Sequence, residues 1–493
     1  MYYNLQIIKG EQDGQDIMTP NGDLYTGAGV HEANQPPNNL NEFETRHVYA
    51  ELDQKLSNNW EMKLSGAYWN YLDFGNFAYA TDVNWNNNTE NFISRIDNEK
   101  WHFWTVINDY QGHYDIGPST WEMPARDAFG WAFSSQVDKQ AYWTTAPFPY
   151  PNGPIGGSVN VPVNSAAAIN ALQNPPVSAF SPPSVADGGP GGDFETELST
   201  MYAQHTMDLI PNWLTVVAGF TFNSIATESV TDWAVLPWNA TFESVSQWNH
   251  RLAAVIHLGP SVSIYALDST TFTPPATGLF LENGELPPNQ LGTGTELGLK
   301  WNFLGGKISG ESAWFKEVLT NGLNSTAGTL PNGALYAAVI GSVTLEGVDG
   351  DASFTIVPGW QLIGSWYAGH QVDPFNQPVP GSYNNFWAAY TRYDFPKNEP
   401  LAGITTGGGV SRLGGRWQST GGLTYSGYLP AIEKVEVGTL VNGFVQYQFN
   451  KHWDFRVVCD NILDQHYPVA VETAFIIDPS PGRIFSFETA YKY

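Results

Sequence analysis

The chain has 493 residues, of which 14% are aromatic and 49 are glycine, and its acidic residues outnumber its basic ones by 48 to 21, giving a formal net charge of −27. This balance argues against nucleic acid as a partner, because phosphates need Lys and Arg. No run of about 18 apolar residues occurs, which excludes a transmembrane helix but not a membrane barrel, whose signal per segment is weak. The only cysteine, Cys459, excludes an intrachain disulfide and is typical of a small packed apolar residue.

The first predicted element is a short strand from Met1 to Lys9. No basic n-region, apolar h-region or small-residue cleavage site precedes it. We therefore expect that a leader was removed or that the chain is a fragment. Residues 10–43 are polar and rich in Gly, Asn and Pro, which predicts a long loop. Strands at 45–56 and 60–72 then form a hairpin, and residues 73–100, dense in Asn and aromatics, are predicted to be another loop.

Fifteen further strands are predicted downstream, which makes 18 with the first three. They lie near residues 102–115, 124–137, 194–209, 212–228, 247–258, 261–271, 294–303, 306–319, 339–354, 360–370, 383–395, 403–417, 437–449, 452–462 and 483–493.

The connections between these strands alternate in length. Short turns are predicted at 57–59, 210–212, 259–260, 304–306 and 450–451. Long loops are predicted at 138–193, 229–246, 272–293, 320–338, 371–382, 418–436 and 463–482, the first with a short helix at 165–172. Short turns on one rim and long loops on the other are typical of an outer-membrane barrel.

Single strands show one apolar and one polar face. In 294–303, Leu297, Leu299 and Phe303 alternate with Glu296 and Lys300. Residues 453–460 and the final strand, 483–493, repeat this alternation, and the chain ends on an aromatic residue. Successive side chains of a strand point to opposite faces, so one face would meet lipid and the other a watery lumen.

No catalytic or metal-binding motif is present. Asp109 and His113 share one face of a strand, where lumen-lining polar residues are the simpler interpretation. The Gly407 to Gly409 run lacks the Lys-Ser/Thr and the helix of a phosphate loop, and glycine in a barrel strand relieves crowding or marks a bend. We expect no enzyme activity, no catalytic residues, no metal site and no cofactor.

The end of the chain resembles that of TonB-dependent receptors, the outer-membrane barrels that import siderophores and other scarce nutrients. The residues are Asn461-Ile462-Leu463-Asp464 with Tyr467, then Pro481-Gly482-Arg483 and the final alternating strand. Segments 263–275, 294–316, 341–347, 390–395 and 407–417 follow the family in the same order, and the likeness runs from about Thr45 to the C-terminus. The siderophore-type branch is the most similar.

The resemblance implies an all-β, transmembrane antiparallel barrel with long extracellular loops and short periplasmic turns. Family members have a plug domain followed by 22 strands, so the 18 strands would be the last 18, and residues 1–493 would form one barrel domain, truncated at its N-terminus, without signal peptide or plug. The first and last strands would then close the ring incompletely. TonB would act only through the missing plug.

The resemblance also implies a location in the outer membrane, contact with its lipid, a monomeric state and uptake of a small molecule such as a ferric siderophore. Two alternatives remain open: a passive outer-membrane porin, and a secreted adhesin or sugar-binding β-protein. Aromatic residues of the long loops are candidate ligand contacts, although they could equally pack loops on each other. The candidates are Trp143, Phe148, Tyr150, Trp233, Trp238, Phe280, Tyr336, Tyr383, Phe386, Trp417, Tyr425 and Tyr428.

Overall fold

The protein is described by a computed structural model, which covers residues 2–10, 16–17, 40–84, 87–118, 122–144, 159–162, 191–231, 239–275, 280–329, 335–379, 381–398, 400–418, 433–435, 438–473, 476–480 and 482–491. Its regular structure is almost entirely β. The strands are β1 (Tyr2–Gly10), β2 (Asp16–Ile17), β3 (Leu40–Lys55), β4 (Trp60–Asn84), β5 (Thr89–Ile116), β6 (Met123–Thr144), β7 (Val159–Pro162), β8 (Gly191–Ile210), β9 (Leu214–Thr231), β10 (Asn239–His257), β11 (Val262–Thr273), β12 (Gln290–Phe303), β13 (Ile308–Thr329), β14 (Leu335–Val357), β15 (Trp360–Val372), β16 (Asn385–Asp394), β17 (Ile404–Leu413), β18 (Arg416–Gln418), β19 (Glu433–Val435), β20 (Thr439–Gln448), β21 (Trp453–Asp460), β22 (Pro468–Thr473), β23 (Ile476–Pro479) and β24 (Ile484–Tyr491).

Eighteen of these strands pair, each antiparallel to the next, in one continuous sheet. Their order is β1, β3, β4, β5, β6, β8 to β17, β20, β21 and β24, and β7 adds to the sheet at the far end of β5. Two small sheets, β18–β19 and β2–β23–β22, lie in the long connections. The all-β antiparallel barrel architecture is confirmed, and each of the 18 predicted strands overlaps one of these.

The predicted loop at residues 73–100 is wrong. β4 continues to Asn84 and β5 begins at Thr89, and the two remain paired up to the turn between them. At about 3.3 Å per residue, strands of 25 and 28 residues are far longer than the 9–11 residues needed to span a bilayer, so this hairpin extends past the hydrocarbon. Asn and aromatic density indicated a loop, but a ladder of backbone hydrogen bonds, interrupted by one register shift between Ala80 and Asp82, outweighs the weak β-propensity of Asn.

Other predicted loops are also shorter than expected. β9 and β10 leave only residues 232–238 between them, and β13 and β14 leave only 330–334. Short strands β7, β19, β22 and β23 lie inside predicted loops, and β3 begins at Leu40. The predicted helix at 165–172 lies outside the described residues. The five predicted short turns are confirmed, and residues 117–122, 358–359 and 395–403 join strands on the same rim.

The register keeps one face apolar and the other polar from strand to strand. Outward Leu299 is opposite Ile264, whereas inward Lys300 is opposite Glu311 and forms a 2.6 Å ion pair with it. The buried apolar residues of the described part are all alanines, while large apolar side chains stay exposed, as far as 79% for Phe487. A soluble protein would bury such side chains, so this outward face fits lipid.

Aromatic rings lie flat across glycines of neighbouring strands on both faces. A Cβ on Gly298 would overlap the ring of Tyr265, and one on Gly409 would overlap Tyr390. Tyr265 also donates a hydrogen bond to Glu296, which fixes the ring in this position. Glycine is therefore required here by the close approach of a ring rather than by backbone angles.

We expect Gly298→Ala to destabilise the sheet by about 1–3 kcal/mol, because the new methyl group must displace the Tyr265 ring. Gly219→Ala, which also faces inward, is the matched control, since its Cβ would lie at an ordinary 3.6 Å from Gln204. The measurement is the urea midpoint in detergent micelles. Equal midpoints for both variants would contradict the ring contact.

The loop after β21 joins the two halves of the C-terminal motif. Asn461, 7% exposed, holds the loop through both ends of its amide, which donates to the Gln465 carbonyl at 2.8 Å and accepts from its N–H at 2.9 Å. Asp464 accepts from the backbone N–H of Arg483 at 2.9 Å. Burial raises the pKa of the Tyr467 phenol, which therefore stays protonated. The motif thus fixes the strand that follows it.

The two ends of the sheet are β1 and β24. Within the described residues, β1 forms its ladder with β3 and β24 forms its ladder with β21, and no ladder joins β1 to β24. The strongly exposed Phe487 lies on this last strand. Incomplete closure between the two ends was predicted from the sequence, and the arrangement agrees with it.

Candidate functional site

The inward face of β3, β4 and β5 carries an aromatic patch above the apolar band. Its members are Phe43, His47, Trp69, Tyr71, Trp101 and Phe103, here called the β3–β5 aromatic patch. His47 stacks on Trp69 at 4.6 Å, and the ring of Phe103 lies 5.0 Å from Trp69 on the other side. Tyr71 continues the patch to Trp101 at 5.6 Å. Rings from three strands thus form one surface facing the lumen.

A carboxylate lies at the upper edge of this patch. Asp73 accepts a hydrogen bond from Tyr71 at 3.3 Å through Oδ2, while its Oδ1 is buried without a hydrogen-bond partner in the described part of the chain. Glu99 is directly opposite Asp73 on β5. A buried acceptor without a donor costs free energy, so a ligand N–H or O–H would be stabilised there once the Asp73 side chain turns toward the lumen.

A second aromatic cluster lies on the wall formed by β13, β15 and β16. Phe315 is 6.2 Å from Tyr367, and Tyr367 is 5.4 Å from Tyr383 in an edge-to-face contact. Phe386 is opposite Tyr367 in the register. Trp417 reaches the same place from β18. Its indole N–H donates to Asn384 Oδ1 at 3.3 Å, its backbone N–H donates to the Ser382 carbonyl at 2.9 Å, and its carbonyl accepts from the Gly381 N–H at 2.7 Å.

The structure brings the predicted site residues Tyr383, Phe386 and Trp417 together in this cluster. It also brings Phe280 close to Tyr336, because the Ala337 N–H donates to the Phe280 carbonyl at 2.7 Å. A cavity of about 340 Å³ on the inner wall of β11 to β15 includes Ser269, Gly294 and Glu317 in its lining. The aromatic and cavity surfaces are all on the long-loop half of the lumen wall.

Several predicted site residues cannot be placed. Trp143 belongs to β6, but its side chain is outside the described residues. Six other candidates lie entirely outside the described residues: Phe148, Tyr150, Trp233, Trp238, Tyr425 and Tyr428. Sequence reasoning missed the β3–β5 aromatic patch. The sequence did contain a signal for it. Trp69 and Tyr71 have the same parity as Lys63 and Asp73, so these aromatic residues lie on the face predicted to be polar.

Asp109 and His113 do share the inward face of β5, as predicted. Asp109 accepts a hydrogen bond from the Tyr202 hydroxyl two strands away, so it has a structural partner. Among the described residues, no cluster of three metal-ligating side chains occurs. In that same part of the chain, no helix is long and apolar enough to cross a membrane.

A family model described as TonB dependent receptor-like, beta-barrel, matches residues 4–462. The chain belongs to this family. Its members are outer-membrane transport receptors, so the outer-membrane location is established, the protein is not an enzyme, and a passive porin is not favoured.

Curated relatives of the TonB-dependent receptor chain include two pyoverdine receptors. It is 25% identical over 206 residues to the ferric-pyoverdine BN7/BN8 receptor of Pseudomonas putida, covering 42% of this chain and 23% of that protein. It is 25% identical over 247 residues to the ferripyoverdine receptor of Pseudomonas aeruginosa, covering 48% of this chain and 29% of that protein.

Solved receptors share the fold. The ferripyoverdine receptor of P. aeruginosa bound to ferripyoverdine matches with a TM-score of 0.77 and 16% identity, over 99% of this chain and 62% of that one. The ferric-catecholate import receptor Fiu from E. coli K12 matches with a TM-score of 0.74 and 14% identity, over 99% of this chain and 71% of that one. The chain thus spans less than two thirds of the ferripyoverdine receptor's length.

Proposed function

We propose that the chain is the barrel portion of a TonB-dependent receptor that takes up a ferric siderophore across the outer membrane. The observation that carries this proposal is the family match over residues 4–462. The names of the relatives, which are receptors for ferric pyoverdines and ferric catecholates, support a siderophore as the ligand class. A plug segment outside the chain would contact TonB.

The β3–β5 aromatic patch and the Tyr367–Tyr383 cluster supply the ligand contacts in this proposal. Flat rings give a large contact area at low entropy cost, and they suit the rigid organic body of a siderophore. The Asp73 carboxylate, at the upper edge of the patch, is the acceptor for a ligand hydrogen bond in this proposal. The loop aromatics predicted from the sequence, including Trp143 and Tyr150, stay candidate ligand contacts in this proposal.

A matched pair of tryptophans tests the lumen-facing patch. Trp101 and Trp104 are on the same strand and are 39% and 40% exposed, but Trp101 faces inward and Trp104 outward. We expect Trp101→Ala to weaken ferric siderophore binding by about tenfold, equivalent to about 1.4 kcal/mol, because a stacked ring is lost. Trp104→Ala should leave the affinity unchanged.

The measurement is quenching of intrinsic tryptophan fluorescence on titration of the chain in detergent micelles, first with ferric pyoverdine and then with a ferric catecholate. Retained heat-modifiable mobility on gels shows that each variant is folded. Equal affinities of the Trp101 and Trp104 variants would contradict the role of the patch. Failure of every ferric siderophore tried, with the iron-free forms as reference, would contradict the ligand class.

A further inference from the structure

Two pairs of ionisable side chains lie on the outward wall of the barrel. On β6 and β8, Asp127 accepts hydrogen bonds from the Tyr114 hydroxyl at 2.6 Å and from His205 Nδ1 at 2.7 Å. On β10 and β11, His250 Nε2 donates to Asp268 at 2.8 Å. The register puts these side chains on the same face as the outward apolar residues of their strands. We call them the two His–Asp pairs.

Both pairs lie within the apolar band. Asp127 is four residues from the start of β6 at Met123, and His205 is five residues from the end of β8 at Ile210. At about 3.4 Å per residue and a tilt of about 40°, they lie roughly 10 and 13 Å above the short-turn rim of a band about 25 Å tall. Asp268, six residues from the start of β11, lies at roughly 16 Å. Ionisable groups at such depths rarely face lipid, and they pair inside protein instead.

The surface between the two pairs is apolar and mostly made of small residues. Outward Phe220 on β9 and Leu252 on β10 project from it. The outward residues around them include four alanines: Ala203, Ala218, Ala254 and Ala266. Small residues let two membrane proteins approach closely, and projecting side chains can then pack beside them. Polar pairs flanking such a centre are typical of a protein contact within the membrane.

Each pair leaves one hydrogen-bonding group unused. Within the described part of the chain, His205 uses only Nδ1, and Asp268 uses only Oδ1. The Asp268 side chain is 57% exposed. As an imidazolium, His205 donates with both nitrogens, and a carboxylate oxygen is the acceptor that suits its Nε2. The two residues cannot meet within one chain, because β9 and β10 separate their strands.

We propose that this face binds a second copy of the chain, with a two-fold axis along the membrane normal between β9 and β10. Such an axis exchanges the two sides of the face and keeps the height of each residue. His205, at roughly 13 Å, therefore meets Asp268 of the partner subunit, at roughly 16 Å, on either side of a centre made by Phe220 and Leu252. The dimer rests on the membrane location and not on the proposed ligand. It departs from the monomeric state that the family resemblance implies.

Charge favours this part of the surface for contact between copies. The chain has a formal net charge of −27, so two copies repel each other in general. The two His–Asp pairs are neutral when both imidazoles are protonated. Outward Glu195, Glu197 and Glu228 lie roughly 34–39 Å above the rim, in water, where salt screens like charges.

The dimer Kd is measured by sedimentation equilibrium of the chain in density-matched detergent micelles at about 0.15 M salt. We expect His205→Gln and Asp268→Asn each to raise this Kd about tenfold, because each removes the same two contacts between the copies. The double variant should be about as weak as either single one, because the lost contact is shared. Independent effects, about a hundredfold together, would contradict contact between the two residues.

His370→Gln and Glu346→Gln are the matched controls, since both residues face outward on β15 and β14, away from the proposed contact. Both should leave the dimer Kd unchanged. Ala254→Phe should raise it at least about tenfold, because a ring at the centre blocks close approach. Ala368→Phe, on the outward face of β15, should have no effect. Retained heat-modifiable mobility on gels shows that each variant is folded.

Energy transfer between chains in liposomes, with the dye on Cys459, repeats the measurement without detergent. Monomers in both micelles and liposomes would overturn the proposal and leave the face to lipid or to a different protein. A dimer that is insensitive to the variants on β8, β10 and β11 would also overturn it. Association through the sheet ends β1 and β24 would give that second result.

Discussion

Replacing Leu299 by Arg is expected to prevent most of the chain from assembling in the outer membrane. Leu299 faces outward, is 40% exposed, and is four residues from the end of β12 at Phe303. At about 3.4 Å per residue and a tilt of about 40°, this places it roughly 10 Å above the rim, near the middle of a band about 25 Å tall. A charged residue at that depth costs about 2–4 kcal/mol.

Lys300→Arg is the control, on the adjacent residue with the same new side chain. Lys300 faces inward, pairs with Glu311 at 2.6 Å and lies over the Tyr265 ring at 5.1 Å, and an arginine can keep both contacts. Assembly is measured as the fraction of membrane-extracted protein with heat-modifiable mobility. We expect a severalfold loss for Leu299→Arg and little change for Lys300→Arg. Similar losses for both variants would mean that the two faces are assigned wrongly.

The fold was largely predictable because apolar and polar residues alternate along its strands with a period of two. Leu297, Leu299 and Phe303 against Glu296 and Lys300 identify a strand and orient it, and the same pattern repeats along the chain. The strand ends were harder to predict. Beyond the apolar band both faces of a strand meet water, so apolar and polar residues no longer alternate. The continuation of β4 to Asn84 depends on backbone pairing with β5, which the residue types of a single strand do not reveal.

The candidate site was predictable only in part, for a similar reason. Tyr383 and Trp417 stand out as aromatics in long connections, and the structure brings them together. Trp69 and Trp101 are 32 positions apart, and their patch forms only because the register of β4 and β5 places Trp101 next to Tyr71. Neither periodicity nor composition fixes the register of two strands across such a distance. The turn between β4 and β5 sets their register, and the sequence analysis had assigned that turn to a long loop.

The arrangement of the lumen wall suggests a division of roles along its height. Aromatic surfaces lie toward the long-loop rim, where a ligand would arrive. Below them the wall carries internally paired groups, such as Tyr202 with Asp109 and Tyr265 with Glu296. Groups already paired within the wall offer few donors to a solute, which makes the long-loop end the place where binding is expected.

The last prediction concerns the seam, where cysteine cross-linking should distinguish a closed ring from an open one. In the described residues no ladder joins β1 to β24, and unpaired backbone groups in lipid cost several kcal/mol each. We therefore expect β1 and β24 not to be neighbours in the chain as given. The relatives are longer, since this chain covers 62% of the solved ferripyoverdine receptor.

In a Cys459→Ser background, the pair Asn4→Cys with Ser486→Cys should cross-link by less than about 10% in the chain alone, because disulfide formation needs Cα atoms within about 7 Å. Two control pairs reuse the same positions: Asn4→Cys with His47→Cys across the β1–β3 ladder, and Val458→Cys with Ser486→Cys across β21–β24. Both controls should cross-link almost completely. If the seam pair reacts as well as the controls, β1 and β24 are neighbours, the ring closes with 18 strands, and no further strands are needed to complete it.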